Sequence, residues 1–228
     1  MSVVNDLEAV VSYKCLEREQ PAIEEIINYM ENKFEVNVYK IQLIRKESEN
    51  INRILIYLKT NKDNAQVREK AEMGDFLFCY PTEAKNICEI LQKNNLTFSQ
   101  NLAEGFGLMF CSFEELALRA CYCSAFEEYK SFKEQIFNTN TMEKIEAQVL
   151  YITYKTKQDL ENAQKTGEIE LFTNKYFNII KKYDTYNYVT KEQNLITRFD
   201  SVENKIDSRS FADYVSSYMQ GNQNVVKL

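Results

Sequence analysis

Residues 53–60, Arg-Ile-Leu-Ile-Tyr-Leu-Lys-Thr, decide the fold class. Ile54, Leu55, Ile56, Tyr57 and Leu58 are apolar at successive positions, so a strand here expects cover on both faces, as a central strand has. Val36–Ile44 reads as its neighbour, joined through the polar stretch Lys46–Asn52 as a loose hairpin. Upstream, Pro21 opens a helix that carries Ile23, Ile26, Ile27, Met30 and Phe34 on one face. A fainter helical pattern covers Asp6–Glu17. Downstream, Lys62–Met73 reads as a helix stopped by a left-handed Gly74. Phe76–Tyr80 follows as a short buried strand. Pro81 then opens a helix with Ala84, Ile87, Cys88 and Leu91 on one side.

The same grammar continues. Leu108–Cys111 is a strand, and Ser112-Phe-Glu-Glu115 is a capping box that starts a long helix to about Phe137. Val149–Tyr154 is a strand. Lys157–Thr166 is a helix ending at Gly167. Thr173 or Asn174 caps a helix with Tyr176, Phe177, Ile179, Ile180 and Tyr183. Tyr186–Thr190 and Leu195–Phe199 pair as a hairpin, and Ser208 caps a last helix. The whole is an α+β fold, with mixed antiparallel sheets and packed helices.

Two stretches share one order of features. Tyr57-Leu-Lys-Thr60, a helix, Gly74-Asp-Phe, a helix and Ser99-Gln-Asn-Leu102 run parallel to a second series. That series is Thr153-Tyr-Lys-Thr156, a helix, Gly167-Glu-Ile, a helix and Glu192-Gln-Asn-Leu195. The chain therefore reads either as one α+β unit over residues 1–228 or as two pseudo-repeated halves, 1–112 and 113–220.

Composition narrows the chemistry. No histidine occurs among the 228 residues. Histidine is the commonest general base and metal ligand near neutral pH. Its absence excludes Ser-His-Asp and Cys-His hydrolases and the His-dependent zinc enzymes. The net charge is −6, and neither half has a basic excess: residues 1–114 hold 13 basic and 18 acidic side chains, residues 115–228 hold 15 and 16. Nucleic acid and membrane surfaces are disfavoured partners on that balance. No apolar run is long enough to cross a membrane, and Met1–Asp6 lacks the character of a signal peptide. Cytoplasmic location follows as the expectation. Cys15, Cys79, Cys88, Cys111, Cys121 and Cys123 form no C-x-x-C pair. They read as reduced, mostly buried thiols, and neither a metal nor a cofactor is expected.

Four groups of residues remain as candidate sites. Asp75, Glu83 and Lys85 resemble the acid-and-lysine set of a metal-dependent nuclease. Glu83 and Lys85, however, fall on a helix, where residues two apart diverge. Gly105-Phe-Gly107 is the one glycine-dense spot, but the phosphate-binding fingerprint is incomplete because position 110 is Phe. The segment 172–199 interleaves aromatic and basic residues; Lys175, Lys181, Lys182, Tyr186, Lys191 and Arg198 offer stacking and charge to single-stranded nucleic acid. Glu24, Glu25 and Glu31 belong to an acidic run suited to a basic protein surface. The expected function is a non-catalytic protein–protein interaction of inhibitor, antagonist, adaptor or subunit type. A nucleic-acid-binding regulator and a metal-dependent nuclease are the alternatives.

Overall fold

The computed structural model describes residues 3–45, 49–74, 79–136, 141–146, 149–190, 196–201 and 203. It is an α+β protein, and the described residues form two sheets, each of three strands. The chain divides into two compact units, Met1–Leu116 and Ala117–Leu228, and the division falls inside one helix.

Unit 1 begins with α1 (Val3–Ser12), a short 3-10 turn (Glu17–Glu19) and α2 (Gln20–Phe34). Strands β1 (Val38–Arg45) and β2 (Ile51–Leu58) form an antiparallel pair. Helices α3 (Asn61–Lys70), α4 (Pro81–Lys93) and the one-turn α5 (Gln100–Ala103) then lead to β3 (Leu108–Ser112). This last strand runs parallel to β2, with Ile54 opposite Leu108 and Leu58 opposite Ser112. Strand β2, apolar from Ile54 to Leu58, is therefore central, because it is the strand with neighbours on both sides.

Period two puts Ile41, Leu43, Ile54, Ile56, Leu58, Leu108 and Phe110 on one face of this sheet. They share a buried cluster with Ile23, Ile26, Met30 and Phe34 of α2 and with Ala84, Ile87, Cys88 and Leu91 of α4. Pro21 and Pro81 each sit in the first turn of their helix, where the missing N–H costs nothing. Burial of a full aliphatic or aromatic side chain contributes roughly 1.5–3 kcal/mol, so this cluster dominates the stability of unit 1.

Unit 2 follows the same plan. Helix α6 (Phe113–Ile136) crosses into it and precedes the antiparallel pair β4 (Thr141–Glu146) and β5 (Val149–Tyr154). Helices α7 (Lys157–Lys165) and α8 (Glu168–Tyr183) lead to β6 (Ile196–Ser201), which is parallel to β5. Its core joins Leu118, Cys121, Tyr122 and Ala125 of α6 to Phe172, Tyr176, Ile179 and Ile180 of α8, with Ile152 and Phe199 from the sheet. Phe172 stacks on Tyr176 at 5.9 Å and meets Phe199 edge-on at 5.8 Å.

The correspondence extends to hydrogen bonds. Thr60 caps α3: its hydroxyl oxygen accepts the Asp63 amide at 3.1 Å, and its hydroxyl donates to the Asp63 carboxylate at 2.7 Å. Thr156 repeats this with Asp159, at 3.0 and 2.7 Å. The first helical amide is satisfied from a distance in both units. The Asn61 amide donates to the Glu114 carboxylate at 2.8 Å, and the Lys157 amide to that of Glu203 at 2.8 Å. Each Glu stands two residues beyond the end of its parallel strand, after Ser112 and after Ser201.

Several sequence expectations are corrected. The Tyr186–Thr190 strand is absent, and β6 joins the sheet in parallel instead of closing a hairpin. Asp184 draws residues 184–189 into a tight loop, since its carboxylate accepts the Tyr188 and Val189 amides, both at 2.9 Å. Helix α8 starts at Glu168 after a left-handed Gly167 (φ 74°), not at Thr173. The Thr173 hydroxyl donates to the Ile169 carbonyl at 2.8 Å, one turn back inside the helix. Helix α3 ends at Lys70, and Gly74 is not its left-handed stop. Gly74 instead lies where the chain passes close to Pro81, with room for a Cβ only 3.3 Å from the proline ring. Strand β4 was not anticipated. Phe76–Phe78, the Glu192–Leu195 match and the helix from Ser208 lie outside the described residues; Cys79 and Tyr80 belong to no strand.

Removing either threonine cap, Thr60→Ala or Thr156→Ala, is expected to cost about 1 kcal/mol. Urea unfolding followed by circular dichroism measures the loss, and the two variants should be alike because the caps are alike.

Candidate functional site

A polar cluster in unit 1 bridges α2 and α4. Lys33, near the end of α2, reaches the Glu83 carboxylate at 2.9 Å and the Tyr29 hydroxyl at 3.0 Å. Asn86 donates to the same hydroxyl at 2.9 Å. Glu83 is in the first turn of α4 and is only 1% exposed. Its second oxygen, Oε2, is sealed from solvent and has no hydrogen-bond partner. Burial pushes the Lys33 ammonium towards neutrality, but its hydrogen bonds to Tyr29 and Glu83 outweigh this and hold it above the usual lysine range. The cluster is an ion pair fixing two helices. Lys33 keeps part of its side chain at the surface while Glu83 is sealed, so removing Lys33 would strand the buried Glu83 charge and cost more than the pair contributes.

Glu83 and Lys85 of the nuclease-like set do not converge. Glu83 turns inward to Lys33, whereas Lys85 is exposed. Asp75 lies outside the described residues. Among the described residues no group of three or more Cys, Asp or Glu side chains is placed to hold a metal ion.

Gly105-Phe-Gly107 forms the turn into β3. Gly105 has φ +94°, and a Cβ there would lie 3.0 Å from the Cys79 sulfur and from the Pro81 nitrogen. A Cβ on Gly107 would come within 2.5 Å of the Asn52 carbonyl oxygen. The glycines thus permit close passage of chain segments.

The basic-aromatic segment is largely committed to its own unit. Lys181 pairs with Asp184 at 2.8 Å, and Lys182 pairs with Glu128, which also accepts the Tyr183 hydroxyl at 3.1 Å. Tyr176 is buried, and Tyr186 stacks near Tyr188 at 6.4 Å. Lys175 also makes an internal interaction. Arg198 stands in β6 opposite Tyr151; Lys191 lies outside the described residues. No continuous basic stripe emerges from the side chains described.

The acidic residues of α2 are placed differently. Glu24 and Glu31 are exposed, and Glu25 is half-buried. Lys93 donates to Glu25 at 2.9 Å and holds its carboxyl below the usual carboxylate range. At the end of α2, Lys70 does the same for Glu35.

The thiols show the opposite trend. Burial raises Cys88 to about 11 and Cys121 to about 12, and it raises Cys111 as well. A thiol with a raised pKa is a weak nucleophile at neutral pH.

Some structurally important residues escaped the sequence reading. Glu115 was expected to complete the capping box with Ser112; its amide does bond to the Ser112 hydroxyl at 3.1 Å. The carboxylate that matters is that of Glu114, which caps α3 instead. The recurring Ser-x-Glu at 112–114 and 201–203 was the signal for it. Tyr13, Glu19, Lys40 and Arg45 were also missed, because their partners lie about 25–35 positions away in sequence. No helix among the described residues is long and apolar enough to cross a membrane.

Comparison with known proteins gives no match to a family model, to a curated protein or to a solved structure.

Two outcomes are expected. Gly107→Ala should destabilise unit 1 by roughly 1–3 kcal/mol, the range for forced overpacking, read as a lower urea midpoint. Stability should also fall at alkaline pH. Folding raises Cys88 from 9.0 to about 11 and Tyr57 from 10.0 to about 12, in both cases mainly by desolvation. The unfolded chain therefore releases these protons first. The stability they contribute is complete below about pH 9 and is lost as pH climbs towards 12. Urea midpoints measured across that window should drop, and Cys88→Ala should flatten the lower part of the fall.

Proposed function

We infer that the chain is a non-catalytic binding protein whose partner is another protein, and that the outer face of α2 is part of the contact. The observation that carries this reading is the contrast between buried and exposed charge. The buried carboxylates have structural work. Glu19 takes Arg45 at 2.6 Å and the Leu16 amide at 2.9 Å. Asp63 takes Thr60 and the Asn37 amide. Glu83 takes Lys33. None of these is displayed to a substrate. The raised thiols point the same way.

On α2 the acids are displayed. Glu24 and Glu31 stand at the surface, and Glu25 is kept ionised by Lys93. A rigid helix carrying fixed negative charge suits a basic partner surface, where such charge speeds encounter and selects the partner. The net charge of −6 supports a basic partner. The committed lysines Lys181 and Lys182 leave the nucleic-acid reading without a comparable support.

The test is a charge reversal. Tagged wild-type chain should retain a partner from its source lysate after nuclease treatment, at low salt. Glu24→Lys with Glu31→Lys should weaken that retention about tenfold or more and reduce its salt dependence. Equal retention by the variant would remove α2 from the contact. Loss of every partner on nuclease treatment would remove the protein-binding reading itself.

A further inference from the structure

Residues 3–19 form an arm attached to unit 1 largely by polar contacts, and these gather on strand β1. Among the residues of α1 whose side chains are described, Val10 is the buried one. Lys40 aims its ammonium at three carbonyls around the end of this helix, those of Val10 (3.0 Å), Val11 (2.7 Å) and Tyr13 (3.0 Å). Those are carbonyls a helix end leaves unsatisfied, and a cation there is favourable. Gln42 adds a bond to the Ala9 carbonyl at 3.4 Å.

The arm then passes the outer edge of the sheet. Strand β1 pairs with β2 alone among the described strands, so its other side is an edge. At that edge the Tyr13 hydroxyl accepts the Leu43 amide at 3.0 Å and donates to the Leu43 carbonyl at 3.3 Å. One phenol thus stands in for both hydrogen bonds of a missing neighbouring strand. Glu19 closes the arm onto Arg45. Bare edges invite pairing with another chain, and covering them is the usual protection.

We propose that this arm is a removable guard on the β1 edge, and that its release lets β1 pair antiparallel with β1 of a second copy of the chain. Leu43 turns its main-chain groups to the edge, so Ile41, two residues away, does so too. A two-fold axis at Gln42 then sets Ile41 of each copy opposite Leu43 of the other. In that register Lys40 faces Ile44, and Gln42 faces its own counterpart. No like charges meet between positions 40 and 44, which self-pairing requires.

Tyr13→Phe combined with Lys40→Gln in the full chain removes the guard's hydrogen bonds through these two side chains and leaves the main-chain groups of Ile41 and Leu43 at the edge intact. Sedimentation equilibrium and amide exchange at Leu43 read the result. The wild type should be monomeric, with a slowly exchanging Leu43 amide. The double variant should dimerise at least about tenfold more tightly, with Leu43 protected only at concentrations where dimer forms. Adding Gln42→Lys sets two lysines face to face and should return the protein to monomer. A folded double variant that exchanges Leu43 freely yet stays monomeric would overturn the proposal, as would a dimer indifferent to Gln42→Lys. If the double variant does not fold, Tyr13→Phe alone carries the test: a smaller shift towards dimer supports the guard, and no shift refutes it.

Discussion

The first amide of the helix that follows each central strand is taken by a carboxylate from beyond the parallel strand, and the two units do this alike. A helix start leaves several N–H groups without intrahelical partners. Thr60 and Thr156 satisfy one each through their hydroxyls. Glu114 and Glu203 satisfy another from the far end of the parallel strand. That second bond ties three things together: where the helix begins, how far the parallel strand runs and how the two strands are registered. With Leu58 opposite Ser112 and Tyr154 opposite Ser201, the glutamate two residues on arrives at the helix N-terminus in both units. A one-residue slip of either parallel strand would carry the carboxylate away and turn the strand's apolar side outward.

The remaining buried charge follows from that frame. Once α2 and α4 lie on one face of the first sheet, Lys33 and Glu83 meet between them. Once α1 and the following turn lie along β1, Tyr13, Glu19, Lys40 and Arg45 find their partners. These bonds specify arrangement more than they add stability, because desolvation offsets much of what a buried ion pair contributes. The apolar clusters supply the stability, and each unit has its own.

How much of this was legible depends on the range of the interaction. The strand at Ile54–Leu58 and the helix faces at Ile23–Phe34 and Ala84–Leu91 are written in local periodicity, and they fold as read. Strand β4, Thr-Met-Glu-Lys-Ile-Glu, has too little apolar alternation to declare itself, and pairing with β5 makes it a strand. The Tyr186–Thr190 stretch looks extended by composition, but Asp184 captures its amides first. Gly74 and Gly167 look equivalent in sequence and are not: one allows close chain passage, the other adopts a left-handed turn. At the candidate sites, Glu83 reads locally as a carboxylate favouring a helix dipole. Its pairing with Lys33, fifty positions away, is a property of the packed helices.

Native-state hydrogen exchange on the full chain tests the shared strand-to-helix tie most directly. The Asn61 and Lys157 amides occupy first helical positions, which ordinarily face water and exchange fast. Both should be protected in the wild type, and Glu114→Ala and Glu203→Ala, which remove the acceptor, should each release the amide of its own unit while leaving the other unchanged. Fast exchange at both amides in the wild type would contradict the account.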